Sequence, residues 1–316
     1  MSASPRSVAR GANLLRAGKL VAFPTETVYG LGADATNDLA VAALFAAKGR
    51  PANNPLIVHL AHVADAKRLV RFDPLSQRAA DTFWPGPLTL VLPLLADSGI
   101  SRLVSPNRQT LAVRIPSHNL ARELIETAGI PVAAPSANMS GRVSPTNADH
   151  VIADLNGRAD AVIDAGACPC GLESTVFRST GRGLELLRPG ALSAEIIEER
   201  LGIKLVIDPS PTEVVSPGQM AVHYSPRSRV RMNAVSELDG EVLLGFGLHG
   251  PTGELNLSPK GDLNEAAARF YSLLRAADEF ALRIGGATIA VSPIPESGLG
   301  KAINDRLRRA SCQPLS

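Results

Sequence analysis

Between Leu20 and Leu201 the chain alternates short β-rich runs with helical ones, and nothing else in the sequence restricts its fold as much. Leu20–Phe23, Leu56–Leu60, Leu88–Leu92, Leu111–Ile115, Val132–Ala134, Ala161–Ile163 and Thr175–Phe177 read as strands, being brief, apolar and bounded by turn residues. Leu39–Ala47, Ala64–Val70, Leu75–Phe83, Leu120–Ala128, Ala148–Leu155 and Ala194–Leu201 read as helices. Such alternation predicts an α/β layered fold on a twisted open sheet. The 27 glycines and 24 prolines fit this reading, because they form no low-complexity tract and most stand at the ends of apolar segments.

Ser4 as N-cap, Pro5 at the first helical position and Gly18 beyond the end predict an N-terminal helix, a better reading of this arginine-bearing segment than a transit peptide. From Asp208 to Arg229 periodicity stops and Pro209, Pro211, Pro217 and Pro226 appear, which reads as an extended linker. A shorter α/β pattern follows, with strands at Glu241–Leu244 and Ala287–Val291 and helices at Leu263–Leu282 and Leu299–Ala310. The expected division is residues 1–205, a linker or lid over 206–229, and a second domain over 230–316.

The charge is balanced, with 32 Lys and Arg against 30 Asp and Glu, which excludes a binder held mainly by bulk positive charge. No apolar run approaches the roughly 20 residues of a membrane-spanning helix. Three cysteines supply no disulfide framework and point to a reducing, cytoplasmic setting. Gly245 to Gly250 fits G-x-G-x-x-G, yet Pro251 and Gly253 follow where a phosphate-binding helix should start, so it reads as a turn. Gly298-Leu299-Gly300-Lys301 lacks P-loop spacing, and Cys168-x-Cys170 has no second pair for a metal.

Four segments carry the remaining polar chemistry at the ends of short strands: Pro24–Gly32, Lys48–Leu56 leading to His59, Pro135–Ser144, and Gly171–Val176 with Arg188 behind it. Ligands of open α/β sheets bind in the crevice at strand C-termini, and loops on a rigid scaffold carry functional side chains. Lys48 and Arg50 alternate across Gly49, so both cations can face one anion; Ser136 and Asn138 alternate likewise and offer uncharged hydrogen bonds. Glu26 and Glu173 are equally compatible with exposed surface acids. The set suits a phosphate-handling α/β protein and offers no evident covalent nucleophile.

These residues resemble the YrdC/Sua5 family of L-threonylcarbamoyladenylate synthases in its long, two-domain form. The resemblance rests on Lys48-x-Arg50 with Ser136-x-Asn138, P-T-E-T-V-Y-G-L-G from Pro24, W-P-G-P-L-T from Trp84, R-I-P from Arg114, and G-L-E-S-T-V from Gly171. It extends through S-P-G…H-Y, Ser216 to Tyr224, and G-L-G-x-A-I-N-D-R-L from Gly298, covering nearly the whole chain.

The resemblance implies a YrdC-like twisted open sheet with a large cleft and a smaller Rossmann-like Sua5 domain. It implies an enzyme joining L-threonine, bicarbonate or CO2 and ATP into threonylcarbamoyl-AMP, with Mg2+ carried on the ATP phosphates. The product would pass to the machinery that makes N6-threonylcarbamoyladenosine in tRNA, with tRNA contact possible and no membrane involved. It places Arg50, Asn54, Thr110, Ser136, Ser144, Arg188 and Tyr224 at ATP, with Lys48 beside the phosphates, and Thr27, His59, Arg114, Ala134 and Ser174 at threonine. Lys48, Arg50, Ser136 and Asn138 are the implied catalytic set; His223 and Tyr224 belong to the implied lid. Gln219–Val222 depart from the basic residues that many relatives carry there, which weakens the case for linker charges at the polyphosphate. A double-stranded-RNA-binding module and a carbamoyl transferase are the alternative readings.

Overall fold

The computed structural model describes residues 1–180, 183–206, 223–248 and 254–312. Strands β1 (Val21–Phe23), β2 (Gly30–Asp34), β3 (Ile57–His59), β4 (Leu88–Pro93), β5 (Thr110–Arg114), β6 (Val132–Ala133), β7 (Ala161–Val162), β8 (Thr175–Thr180) and β9 (Gly183–Arg188) form one sheet. Its order is β7-β1-β2-β6-β3-β5-β4-β8-β9, and it is mixed: β3–β5 and β4–β8 run parallel, whereas β3–β6, β4–β5 and β8–β9 run antiparallel.

Side chains alternate across this sheet as a two-residue period requires. Val21 and Phe23 pack toward α1 (Pro5–Arg16) and α5 (Asn119–Ala128), joining Val8, Leu15, Leu124 and Ile163. Leu20, Ala22, Leu31 and Val58 point the other way, into the larger core with Leu44 of α2 (Asp38–Lys48) and Ala79 of α4 (Pro74–Phe83). On β3, β5, β4, β8 and β9 the face opposite that core carries a small cluster drawn from strands alone: Ile57, Ala112, Val91, Val176 and Leu187. Ser4 caps α1, its Oγ accepting from Ser7 N at 3.2 Å, with Pro5 in the first turn.

The second unit is a parallel sheet in the order β10-β12-β11, with β10 at Arg229–Arg231, β11 at Glu241–Leu244 and β12 at Thr288–Val291. The chain passes from β11 to β12 through α8 (Leu263–Arg283) and ends its described part with α9 (Leu299–Ser311). Asp262 caps α8, accepting from Asn264 N at 2.8 Å. The core of this unit, built on Val242, Phe270, Leu274, Ile289 and Ile303, also takes in Val28, Val143 and Leu172 from the first. Polar contacts accompany that apolar seam: Arg275 reaches Asp154 at 2.5 Å, and the Thr146 and Ser272 hydroxyls meet at 2.8 Å. Gly171 touches the backbone of α8 so closely that a Cβ there would stand 2.3 Å from Ala267 O.

Three strands differ from expectation. β2 reads Gly-Leu-Gly-Ala-Asp, a composition of turns, yet it pairs with β1 and β6. A Cβ on Gly32 would lie 2.8 Å from the Phe23 ring, so the glycine permits the pairing that its propensity disfavours. β9 and β10 likewise carry no strong period-two signal. After the glycine-rich turn, Asn256 makes an isolated bridge with Gly245. Most of the expected linker, residues 207–222 with Gln219–Val222 among them, lies outside the described residues, as do 249 and 250 of the glycine-rich turn. No helix among the described residues is long and apolar enough to cross a membrane.

Candidate active site

The chemistry-bearing segments meet because mixed pairing brings distant stretches side by side. His59 is in register with Arg114 across the parallel β3–β5 pair. Val176 is in register with Arg188 across β8–β9, which seats Ser174 next to the arginine. This corrects the picture of a crevice at strand C-termini alone, because Glu173 and Ser174 lead into their strand, Lys48 ends α2 and Arg50 follows it. A cavity of about 50 Å3 lies between them, lined by Thr25, Thr27, Arg50, His59, Arg114, Ala134, Ser136, Glu173, Ser174, Arg188, His223 and Tyr224.

One side of the cavity is cationic. Arg50 is buried, and its Nε and Nη2 donate to the carbonyls of Asn54 at 3.2 Å and Pro55 at 2.7 Å. No carboxylate ion-pairs with it among the described residues. Burial, with Arg188's charge beside it, pushes Arg50 down to about 9, still cationic near neutrality. Arg188 is also buried and donates through Nε and Nη2 to Ser174 O, at 3.2 and 2.8 Å. Buried guanidiniums are costly to desolvate, and an anion beside Arg50 would offset part of that cost.

The other side is polar and more nearly balanced. Arg114 lies 2.7 Å from Glu26 Oε1, a charge contact without hydrogen-bond alignment, and its Nη1 donates to Thr27 Oγ1 at 3.0 Å. Glu26 is therefore no surface acid. Burial alone would raise its pKa, but Arg114 holds it below the usual carboxylate range. Thr27 Oγ1 lies 2.8 Å from Thr25 Oγ1, and Ser174 Oγ 2.7 Å from Thr89 Oγ1. Burial and the neighbouring Arg114 push His59 down to about 3, so it is neutral, and its Nδ1 has no hydrogen-bond partner among the described residues.

Glu173 joins the cavity to the second domain. It is buried and accepts from Ser144 Oγ at 2.6 Å, from Arg306 Nε at 3.0 Å and from the Tyr271 hydroxyl, 2.9 Å from either oxygen. Burial would raise its pKa, yet Arg306 foremost holds it at about 2. The surface-acid alternative fails here as well. Tyr224 packs 6.0 Å from the Tyr271 ring and beneath Arg306, whose guanidinium carbon is 4.9 Å from the ring centre.

Five expected site residues do not line the cavity: Lys48, Asn54, Thr110, Asn138 and Ser144. Lys48 is buried, its Nζ donating to Ser136 O at 2.5 Å and to Asn138 O, while Asn138 Nδ2 donates to Met139 O and Arg142 O. These two bind the Ser136–Arg142 loop together. Thr110 opens β5, and its carbonyl accepts from Ser105 Oγ at 2.7 Å. Thr25, Thr89, Tyr271 and Arg306 were not foreseen. Thr25 and Thr89 sit inside motifs already noted, and Arg306 inside the C-terminal one, whereas Tyr271 carries no local signal.

Fold and site together define an α/β protein built to hold an anionic group beside a small polar ligand in one buried cleft. A family model for Sua5, YciO and YrdC proteins, described as "Telomere recombination", matches residues 13–190. A second, "Threonylcarbamoyl-AMP synthase, C-terminal domain", matches 192–312. The chain belongs to the Sua5/YciO/YrdC family. It is 41% identical to the threonylcarbamoyl-AMP synthase of Pyrococcus abyssi over 95% of this chain and 92% of that one. The Bacillus subtilis threonylcarbamoyl-AMP synthase is 36% identical over 98% of this chain and 94% of its own. The crystal structure of P. abyssi Sua5 complexed with L-threonine superposes with a TM-score of 0.88 at 38% identity, covering 98% of this chain and 96% of that one.

Proposed function

We propose that this chain is a nucleotidyltransferase that makes L-threonylcarbamoyladenylate for N6-threonylcarbamoylation of tRNA. The threonine amine adds to CO2 drawn from bicarbonate, losing a proton to form a carbamate. A carbamate oxygen then attacks the α-phosphorus of ATP, a P–O bond forms, and the bond to pyrophosphate breaks. No protein nucleophile is required; the work is alignment, charge and exclusion of water from a labile carbamate.

The observation that carries this reading is the division of one buried cavity into a cationic side and a polar, balanced side. Arg50 and Arg188 suit the phosphates, with Ser136 and Tyr224 beside them, whereas Asn54, Ser144 and Thr110, the other expected nucleotide residues, lie outside the cavity. Thr27, His59, Arg114, Ala134 and Ser174 suit threonine: Arg114 meets its carboxylate, hydroxyls its polar groups, and neutral His59 adds no competing charge. In this reading Lys48 and Asn138 serve the reaction by fixing the loop that carries Ser136. We assign Mg2+ to the ATP phosphates, since it commonly binds through substrate phosphates and a few waters. A cavity of about 50 Å3 has room for one or two waters, so ATP must displace a wall. Tyr224 is the candidate, a buried tyrosine at φ +62° on the expected lid. We place the protein in the cytoplasm and its product with the tRNA-modifying machinery.

Pyrophosphate release from ATP should require threonine and bicarbonate together, and Arg50→Ala should cut it by roughly a hundredfold with the fold intact. Release that ignores threonine refutes the assignment. Salt-sensitive RNA binding without turnover would support the RNA-binding alternative, and dependence on carbamoyl phosphate the transferase one.

A further inference from the structure

Thr27 and Ser174 line the cavity, and each is joined to the hydroxyl of a buried threonine, Thr25 or Thr89. A hydroxyl carries a single proton, so the direction of each contact follows by elimination. Thr25 Oγ1 donates to Val28 O at 2.7 Å, and the Thr27 and Val28 amides donate to that same hydroxyl oxygen from 3.2 and 3.3 Å. Its proton is thereby spent, so the proton in the 2.8 Å contact with Thr27 Oγ1 is the one Thr27 carries. Thr27 Oγ1 also accepts from Arg114 Nη1 at 3.0 Å, which leaves it a lone pair and no proton for the cavity. Thr89 is the reverse case. Among the described residues the partner of its Oγ1 is the Ser174 hydroxyl alone, 2.7 Å away. A buried O–H without an acceptor is costly, so Thr89 donates. Ser174 Oγ accepts a second bond from Arg188 Nη2 at 3.2 Å, so its lone pairs are occupied and its proton is left for the cavity.

We propose that Thr25 and Thr89 are positioning residues for the amino-acid half of the site: Thr25 fixes Thr27 as an acceptor, and Thr89 fixes Ser174 as a donor. A ligand N–H or O–H then belongs at Thr27, and a ligand oxygen at Ser174. This polarity bears on the reaction. A hydroxyl proton aimed at the threonine amine would occupy the lone pair that must reach CO2, and Thr27 has no proton to aim. Ser174, bonded to Arg188 of the cationic side, holds its proton on the flank where a carbamate oxygen has to meet the phosphates. Neither Thr25 nor Thr89 needs to touch the substrate for this; each acts through the hydroxyl beside it.

The inference rests on the threonine reading of this half, so its first test uses no ligand. A neutron map of the deuterated full chain should show the Thr25 deuteron toward Val28 O, that of Thr27 toward Thr25, and that of Thr89 toward Ser174. A Ser174 deuteron on the line to Thr89, or a Thr25 deuteron on the line to Thr27, overturns the proposal. The second test uses valine, which keeps threonine's shape, and serine, which keeps its hydroxyl. Thr89→Val should raise KM for threonine about fivefold with KM for ATP within about twofold, and Thr89→Ser should leave both within about twofold. In a Ser174→Ala background Thr89→Val should add nothing, because the hydroxyl it acts through is gone. Thr25→Val should behave alike, and add nothing to Thr27→Val; if it unfolds the chain, the neutron map decides Thr25. A serine variant worse than the valine one would make Thr89 a packing residue and overturn the proposal, as would a loss shared equally by ATP or undiminished in the Ser174→Ala background. Wild-type release of pyrophosphate without threonine would instead sink the proposed reaction and leave the hydroxyl directions standing.

Discussion

His59 shows how one buried side chain sets a property of the whole protein. In the unfolded chain it binds a proton near its ordinary 6.5, and in the fold only near 3, because burial and Arg114 oppose the charge. Between those values the unfolded state holds more protons, so stability is lost as pH falls from 6.5 toward 3. His59→Asn should flatten that acid limb by up to about 1.4 kcal/mol per pH unit, read from denaturant unfolding at a series of pH values. His223, pushed down to about 3, and His150, to about 4, remain in the variant and keep part of the slope. An unchanged slope would show that His59 is protonated in the fold. At this scale the sequence was legible for residue type and opaque for direction. The alternation of Lys48 and Arg50 marked both as cations near one anion, yet only Arg50 reaches the cavity, since Lys48 turns to two carbonyls. Glu26 and Glu173 could not be told from surface acids because their arginines, Arg114 and Arg306, lie far away in sequence.

Among elements, the segment Gly171–Ser174 sits where two packing demands coincide. Gly171 has φ +67° and also lacks room for a Cβ against α8. Gly171→Ala should therefore cost more than the conformational penalty alone, on the order of 2–4 kcal/mol, measured as a lower midpoint in denaturant with unchanged slope. A cost under about 1 kcal/mol would mean that α8 yields easily. Helices were the more readable elements: the expected Ala148–Leu155 and Ala194–Leu201 match α6 and α7, which span those residues. Their N-caps, Asn147 and Ser193, accept from His150 N and Ile196 N. Strands were read where β-branched and large apolar residues cluster, and missed at β2, β9 and β10. There the pairing is decided by neighbours such as Phe23, which the local sequence does not contain.

Over the whole molecule, the two sheets share more than a linker. Val28, Val143 and Leu172 lie in the second unit's core, and Arg275–Asp154 and Arg306–Glu173 cross the same seam. The chain should accordingly unfold in one calorimetric transition, its van't Hoff and calorimetric enthalpies agreeing. Two resolved transitions would show that the seam couples the units weakly. The α/β class and the presence of two units were both legible from the alternation and its interruption; the seam was not, because its hydrogen bonds join residues 98 to 133 positions apart. That seam also bears on descent. A gene broken between the halves would yield two products, each with a raw apolar patch where the other had been. Substitutions at Leu172 or on α8 must be answered across the boundary, so in this chain the facing surfaces of the two halves drift together.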